Sequence, residues 1–386
     1  MYASSSVQNV PATPGRSGAR RAHESGFRYL LTGIRALLVA SAIAVAAAGT
    51  AMAASQALWV ANGTNVLEFG SFSSGTHDTK PMVELNSTVF GAPQGVVFDA
   101  KNDLWVIDGG TTSAGGTIAP SLEEFTEAQL KNLKKVPTPT PNVQITSGDL
   151  VFPQQAVFDA SGNMWVSDNG ADKVFVITAA QLAAAVGVDN IPSFSTTIES
   201  DPTFEGPLGI VLHDGNLYIA NNASTTIFEF NSNHLPTLGS GTTVLVPDVI
   251  LEDDGLMSIS APWALVFDKA GDLWSSNANA PNTLVKFTPS QIATSGDPTP
   301  KTTIGPVNEK VGQSTDTTLA APNGIAFDES GNNLEAVSSA SPFGIARYDA
   351  KQQVSGGLIK PFNFIVGNNT TLNAPAGDNF GPQISH

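Results

Sequence analysis

PQQAVFDASGNMWVSD, residues 153–168, holds two short apolar runs around a polar reversal at Asp159-Ala160-Ser161-Gly162-Asn163. β-Branched and aromatic residues interrupted by Asp, Gly and Asn spell a hairpin, because small polar residues and glycine accept the backbone of a tight turn. The same text returns as PQGVVFDAKNDLWVID from Pro93, PLGIVLHDGNLYIANN from Pro207, PWALVFDKAGDLWSSN from Pro262 and PNGIAFDESGNNLEAV from Pro322. Successive prolines lie 60, 54, 55 and 60 residues apart. A period of that length marks a supersecondary unit that buries its apolar faces against its own copies.

Outward from each hairpin the repeat continues. LEEF (122–125), VFVI (174–177), IFEF (227–230), LVKF (284–287) and IARY (345–348) read as a third strand. Thr126 with Gln129, Thr178 with Gln181 and Thr288 with Gln291 form capping-box signatures, which predict a short helix after that strand. Pro289 fits the first helical turn, where its missing N–H has no partner to lose. A Pro-rich stretch and a fourth apolar run follow, as in PNVQI (141–145) and PKTTI (300–304). Four antiparallel strands per unit make a propeller blade.

The ends complete the count. ALWVANGTNVLEF (57–69) matches a second and third strand without a first. At the other end, Gly381-Pro382-Gln383-Ile384 resembles Gly206-Pro207-Leu208-Gly209-Ile210, and Pro382 lies another 60 residues beyond Pro322. The expectation is an all-β, six-bladed propeller with four antiparallel strands per blade, its ring closed by N- and C-terminal strands sharing one blade. No unit is left over for a seventh blade, and an open solenoid has no need of complementary ends.

Residues 1–53 differ in kind. Five arginines precede a 14-residue apolar run, Ala36–Gly49, and then Ala51-Met52-Ala53. The run is shorter than the roughly 20 residues that span a bilayer, and the small residues suit a signal peptidase. Residues 1–53 are therefore expected to be a removed secretory signal and 54–386 a single propeller, secreted or periplasmic, monomeric and not inserted in a membrane. Losing five Arg and one Glu from 18 basic and 34 acidic side chains leaves 13 and 33, a net charge near −20. Such a surface repels nucleic acid and anionic lipid. With no Cys, stability must come from core burial and strand pairing alone.

The residue after each repeat proline opens the innermost strand and is expected at the channel mouth: Gln94, Gln154, Leu208, Trp263, Asn323 and Gln383. Amides around one aromatic plate suit a small polar molecule or a protein backbone. Second strands end in Asn62, Asp108, Asp168, Asn222 and Asn277, oxygen donors that suit calcium and equally suit turns. Asp99, Asp159, Asp268 and Asp328 recur before the hairpin turn, and Trp59, Trp105, Trp165 and Trp274 recur in the second strand. Recurrence in several blades points to the fold, because a single site needs a residue once.

The unit P-x-G-I-x-F-D-x-x-G-N-L-W-V-x-D resembles NHL-type repeats and the six-bladed group of gluconolactonase-like, senescence-marker-type proteins. That resemblance implies a divalent cation in the channel, held by a Glu of an E-G-P motif, an Asn of an N-G motif and an Asp. Glu205-Gly206-Pro207 and Asn323-Gly324 look like the first two motifs, and Asp168 or Asp108 stands for the third. The repeat also resembles streptogramin lyases, whose His base sits on the channel face. Here His77, His213 and His234 fall in turns and connections away from the mouth. The leading expectation is an exported propeller that binds a polar ligand or protein partner at its channel face, with no certain cofactor. A calcium-dependent lactonase is the first alternative, and a streptogramin-lyase-like enzyme the second.

Overall fold

The computed structural model describes residues 56–70, 74–113, 116–191, 193–311, 314–328 and 330–382. The expected signal segment, Gln383 and His386 lie outside them. Six sheets form six blades. Innermost strands are Pro375–Pro382 in blade 1, Pro93–Phe98 in blade 2, Pro153–Phe158 in blade 3, Pro207–His213 in blade 4, Pro262–Phe267 in blade 5 and Pro322–Phe327 in blade 6. Each pairs with the second strand of its own blade, and third and fourth strands follow outward. No helix among the described residues is long and apolar enough to cross a membrane.

The chain ends share blade 1, where Pro375–Pro382 runs antiparallel to Gln56–Asn62. The register differs from the expected one. Asn62 faces Pro375 as Asp108 faces Pro93, Asp168 faces Pro153 and Asn221 faces Pro207. The repeat proline of the closing strand is thus Pro375, and Pro382 lies at the strand's far end opposite Gln56. Asp378 and Asn379 stand where other blades carry apolar pairs such as Val96-Val97 and Ile210-Val211, so the strand lacks the alternation that would reveal it.

Six apolar clusters fill the six seams between neighbouring blades. Trp59, Trp105, Trp165 and Trp274 are buried in four of them, as their recurrence predicted. The innermost strands crowd at the axis. A Cβ on Gly95 or Gly377 would sit 2.6 or 2.5 Å from the carbonyl oxygen of Gln154 or Gln94 in the adjacent blade, which explains the glycine of the repeat.

The connection after the third strand of one blade reaches back and pairs, in parallel, with the outer strand of the blade before it. Gly187–Asn190 of blade 3 pairs with Val143–Thr146, Gly241–Leu245 of blade 4 with Thr196–Ser200, Gly357–Leu358 of blade 6 with Thr302–Gly305, and Gly75–His77 of blade 1 with Asn363–Val366. Blade 5 makes a single bridge to blade 4, Leu251 to Gly296. In blade 1 the outer strand's neighbour Asn86 donates its N–H to Pro137 O of blade 2. Helices occupy Glu127–Lys131 and Ala179–Ala184 behind full capping boxes. The Thr288 box closes only a turn, while Asp349 with Gln352 caps a third helix, Ala350–Ser355.

Candidate functional site

At the mouth face the second-strand ends act as clamps. The Asp168 carboxylate accepts the N–H groups of Val151, Phe152, Gly170 and Ala171 at 2.8–3.0 Å. Asp108 accepts those of Gly91, Ala92 and Gly110. Asn62, Asn221, Asn277 and Ser338 each accept one N–H from the equivalent entry segment, given by Asn373, Glu205, Ser260 and Ala320. In blade 4 this role belongs to Asn221. Asn222 instead donates to Pro262 O of blade 5. Burial pushes the Asp168 and Asp108 carboxyls above the usual range, offset in part by the N–H groups they accept.

This geometry tests the expected cation ligands. A carboxylate offers about four lone-pair positions; three backbone donors reach Asp168 Oδ1 and one reaches Oδ2. Glu205 is exposed on its loop, and its backbone N–H is held by Asn221. Asn323 is buried, and its Oδ1 has no hydrogen-bond partner among the described residues. A cation held by these three would have to draw on a carboxylate already committed to four N–H groups of the loop it organises. His213 and His234 lie on the opposite face, and His77 on the outer rim, as expected.

The mouth ring is also less open than the sequence suggested. Gln154, Leu208 and Asn323 are buried, and Ala376, not Gln383, follows the repeat proline of blade 1. Ladder registers slip just after each repeat proline, so the channel wall begins one residue later, with Gly95, Gln155, Ala264 and Gly377. Among the described residues of the expected ring, Gln94 and Trp263 reach the surface in part. Beside them stand residues the repeat did not single out. Val151 and Phe152 are 53% and 37% exposed, and the Phe152 ring and the Gln94 stem both crowd against Gly109. Leu256 and Met257 are exposed on the segment entering blade 5. Below the mouth the axis holds a cavity of about 220 Å³, mostly walled by valine, isoleucine, leucine and alanine, with Asp378 and Asn379 on one side.

Asp378 is the outlier of the axis. Its backbone lines the channel while both carboxyl oxygens are buried against Gly324 of blade 6 without a partner among the described residues. Burial pushes its carboxyl up to about 8. In the same seam Glu335 occupies the repeat tryptophan position and pairs with Arg347, which also reaches Asp328 at 3.4 Å. Burial likewise drives Glu335 upward, opposed by Arg347 and reinforced by Asp328 and Asp378. Elsewhere, Asp99, Asp103 and Glu124 bring three carboxylates within 4.8 Å of one another, with Lys101 3.8 and 4.0 Å from the two aspartates. In blade 5 Lys286 takes the place of Glu124 and sits 3.1 Å from Asp272, so this corner is a charge cluster of the hairpin base.

No family model matches the chain, and no curated protein sequence does. Among solved structures, a chain of a nidogen/laminin complex is 14% identical across 86% of this chain and 100% of its own, with a TM-score of 0.52. A Bacteroides caccae protein of unknown function is 10% identical across 85% and 100%, with a TM-score of 0.54. The periplasmic gluconolactonase of Pseudomonas aeruginosa is 14% identical across 86% and 99%, with a TM-score of 0.45. The likeness to the first two is one of fold alone.

Proposed function

We propose that the chain is an exported binding propeller that holds a protein partner on its mouth face. The observation that carries this reading is exposed Val151 and Phe152, the latter beside Gln94, together with half-buried Trp263 of blade 5, on entry segments fastened by the Asp168 and Asn277 clamps. Rigid aromatic and aliphatic anchors next to amides are what protein interfaces enrich. The cavity beneath them is smaller than the roughly 300–1,000 Å³ of small-molecule sites, which favours a macromolecular surface over an engulfed ligand. Export rests on the arginine-flanked apolar run and the Ala51-Met52-Ala53 site. The NHL-type resemblance of the repeat agrees with a scaffold whose loops vary while its strands do not.

Photo-crosslinking in the native host tests this. A photoreactive residue at Phe152 is expected to yield a discrete protein adduct, while the same residue at Val188 on the outer rim yields none. Adducts at neither position, or equally at both, overturn the mouth as the interface.

A further inference from the structure

Blade 4 departs from the repeat in three linked ways. Its hairpin is one residue shorter than those of blades 2, 3 and 5, His213 replaces the recurrent aspartate, and Tyr218 replaces the tryptophan. In blades 3 and 5 that tryptophan donates its indole N–H to the aspartate, Trp165 to Asp159 and Trp274 to Asp268. In blade 4 the Tyr218 hydroxyl instead donates to Glu229 Oε1 at 2.8 Å, and Asn216 Nδ2 donates to the same oxygen at 2.9 Å. His213 stacks flat on Phe267 of blade 5, ring centroids 3.9 Å apart. The smaller tyrosine and shorter turn leave a cavity of about 560 Å³ between blades 4 and 5, on the face opposite the mouth.

The lining of that cavity has one sign of charge. Asp214, Glu229 and Asp248 contribute carboxylates, and no lysine or arginine among the described residues lines it. Asp248 is already engaged by His234 at 2.7 Å and by the Asn231 N–H. Glu229 is not fully engaged. It is 7% exposed, and its Oε2 takes no hydrogen bond from the described residues. That oxygen keeps contact with solvent, so a cation or strong N–H donors can reach it. Asp214 stands at the rim, with its side chain 90% exposed. We infer that this cavity is a second binding site, for a small organic cation carrying N–H donors, an ammonium or guanidinium compound. Glu229 anchors the cation at the floor beneath the Tyr218 ring, Asp214 attracts it at the rim, and the Asn216 and Asn231 side chains orient it. The volume lies within the range of small-molecule sites, unlike the axial cavity.

Titration calorimetry at physiological salt, with argininamide as the cationic probe and glucose as a neutral one of similar size, tests the inference. Saturable binding of argininamide and none of glucose is expected. Glu229→Gln should weaken it at least about tenfold, the scale of a hydrogen bond to a charged group, and Asp214→Asn should weaken it less. Tyr218→Trp, which restores the repeat's own residue and removes the hydroxyl held by Glu229, should crowd the floor beside Glu229 and weaken binding while the melt stays cooperative. If Glu229→Gln fails to fold, Asp214→Asn and Tyr218→Trp decide alone. No heat with argininamide, equal affinity for glucose, or affinity unchanged in the foldable variants overturns the site. Phe152→Ala and Trp263→Ala should leave argininamide binding unchanged, which separates this site from the mouth.

Discussion

Asp378 replaces an apolar residue at a position filled by Val96, Ala156, Ile210, Leu265 and Ile325 in the other blades. Below about pH 4 both folded and unfolded chains carry its proton. Between 4 and 8 the unfolded chain gives the proton up and the folded one keeps it, so the group removes about 1.4 kcal/mol of stability per pH unit across that window. Melting temperature is therefore expected to fall from pH 5 to pH 8. Asp378→Asn should flatten the fall and raise the melt at pH 8, and parallel profiles for parent and variant would refute the assignment. Asp168 makes the opposite case, a polar residue held, among the described residues, by backbone donors. Asp168→Ala strands four N–H groups, at about 1–3 kcal/mol for each that stays dry. Melts of the parent with and without millimolar calcium are expected to coincide. A shift of several degrees, abolished by Glu205→Gln and Asn323→Ala, would reinstate the lactonase reading.

Among the elements, the short helices show how far local sequence reaches. Thr126 and Thr178 cap the helices the sequence predicted, and each is satisfied by a reciprocal glutamine three residues on. Thr178→Ala is expected to lower stability by about 1 kcal/mol, read as a drop of a few degrees or less in the melt, whereas Thr288→Ala, ahead of a mere turn, should do less. Equal losses would mean that the box acts without its helix. The helix at Ala350–Ser355 was missed because Asp349 stands in for threonine, although aspartate caps as well. The parallel edge pairings were illegible for a different reason. Gly187–Asn190 and Gly241–Leu245 carry little apolar alternation of their own, and what makes them strands is an outer strand of the previous blade offering unpaired N–H and C=O groups.

For the whole molecule, closure is the decisive event. Pro375–Pro382 is the innermost strand of blade 1 and packs beside blades 2 and 6. Deleting residues 375–386 should expose the inner edge of Gln56–Asn62 and the seam that holds Leu58, Val60 and Phe69. Each buried apolar side chain contributes about 1.5–3 kcal/mol, so the loss should reach several kcal/mol and bring aggregation. A soluble truncation that melts within a degree of the parent would refute the shared blade.

The sequence by itself determined the six-bladed ring, the hairpins, the tryptophan seams and the joining of the two ends. All of these rest on short-range periodicity repeated many times, so one irregular copy does not hide the pattern. Tertiary structure alone decided which residues are available. Asp168 and Asp108 read as cation donors in the chain, but the entry segments they hold are brought to them only by folding. The true register of the closing strand, the buried state of Gln154 and Asn323, and the opening of a cavity beside Tyr218 depend on a slip in pairing, a neighbouring blade's backbone and a missing indole. Each is set by contacts between blades, and contact across a seam leaves no period in the chain.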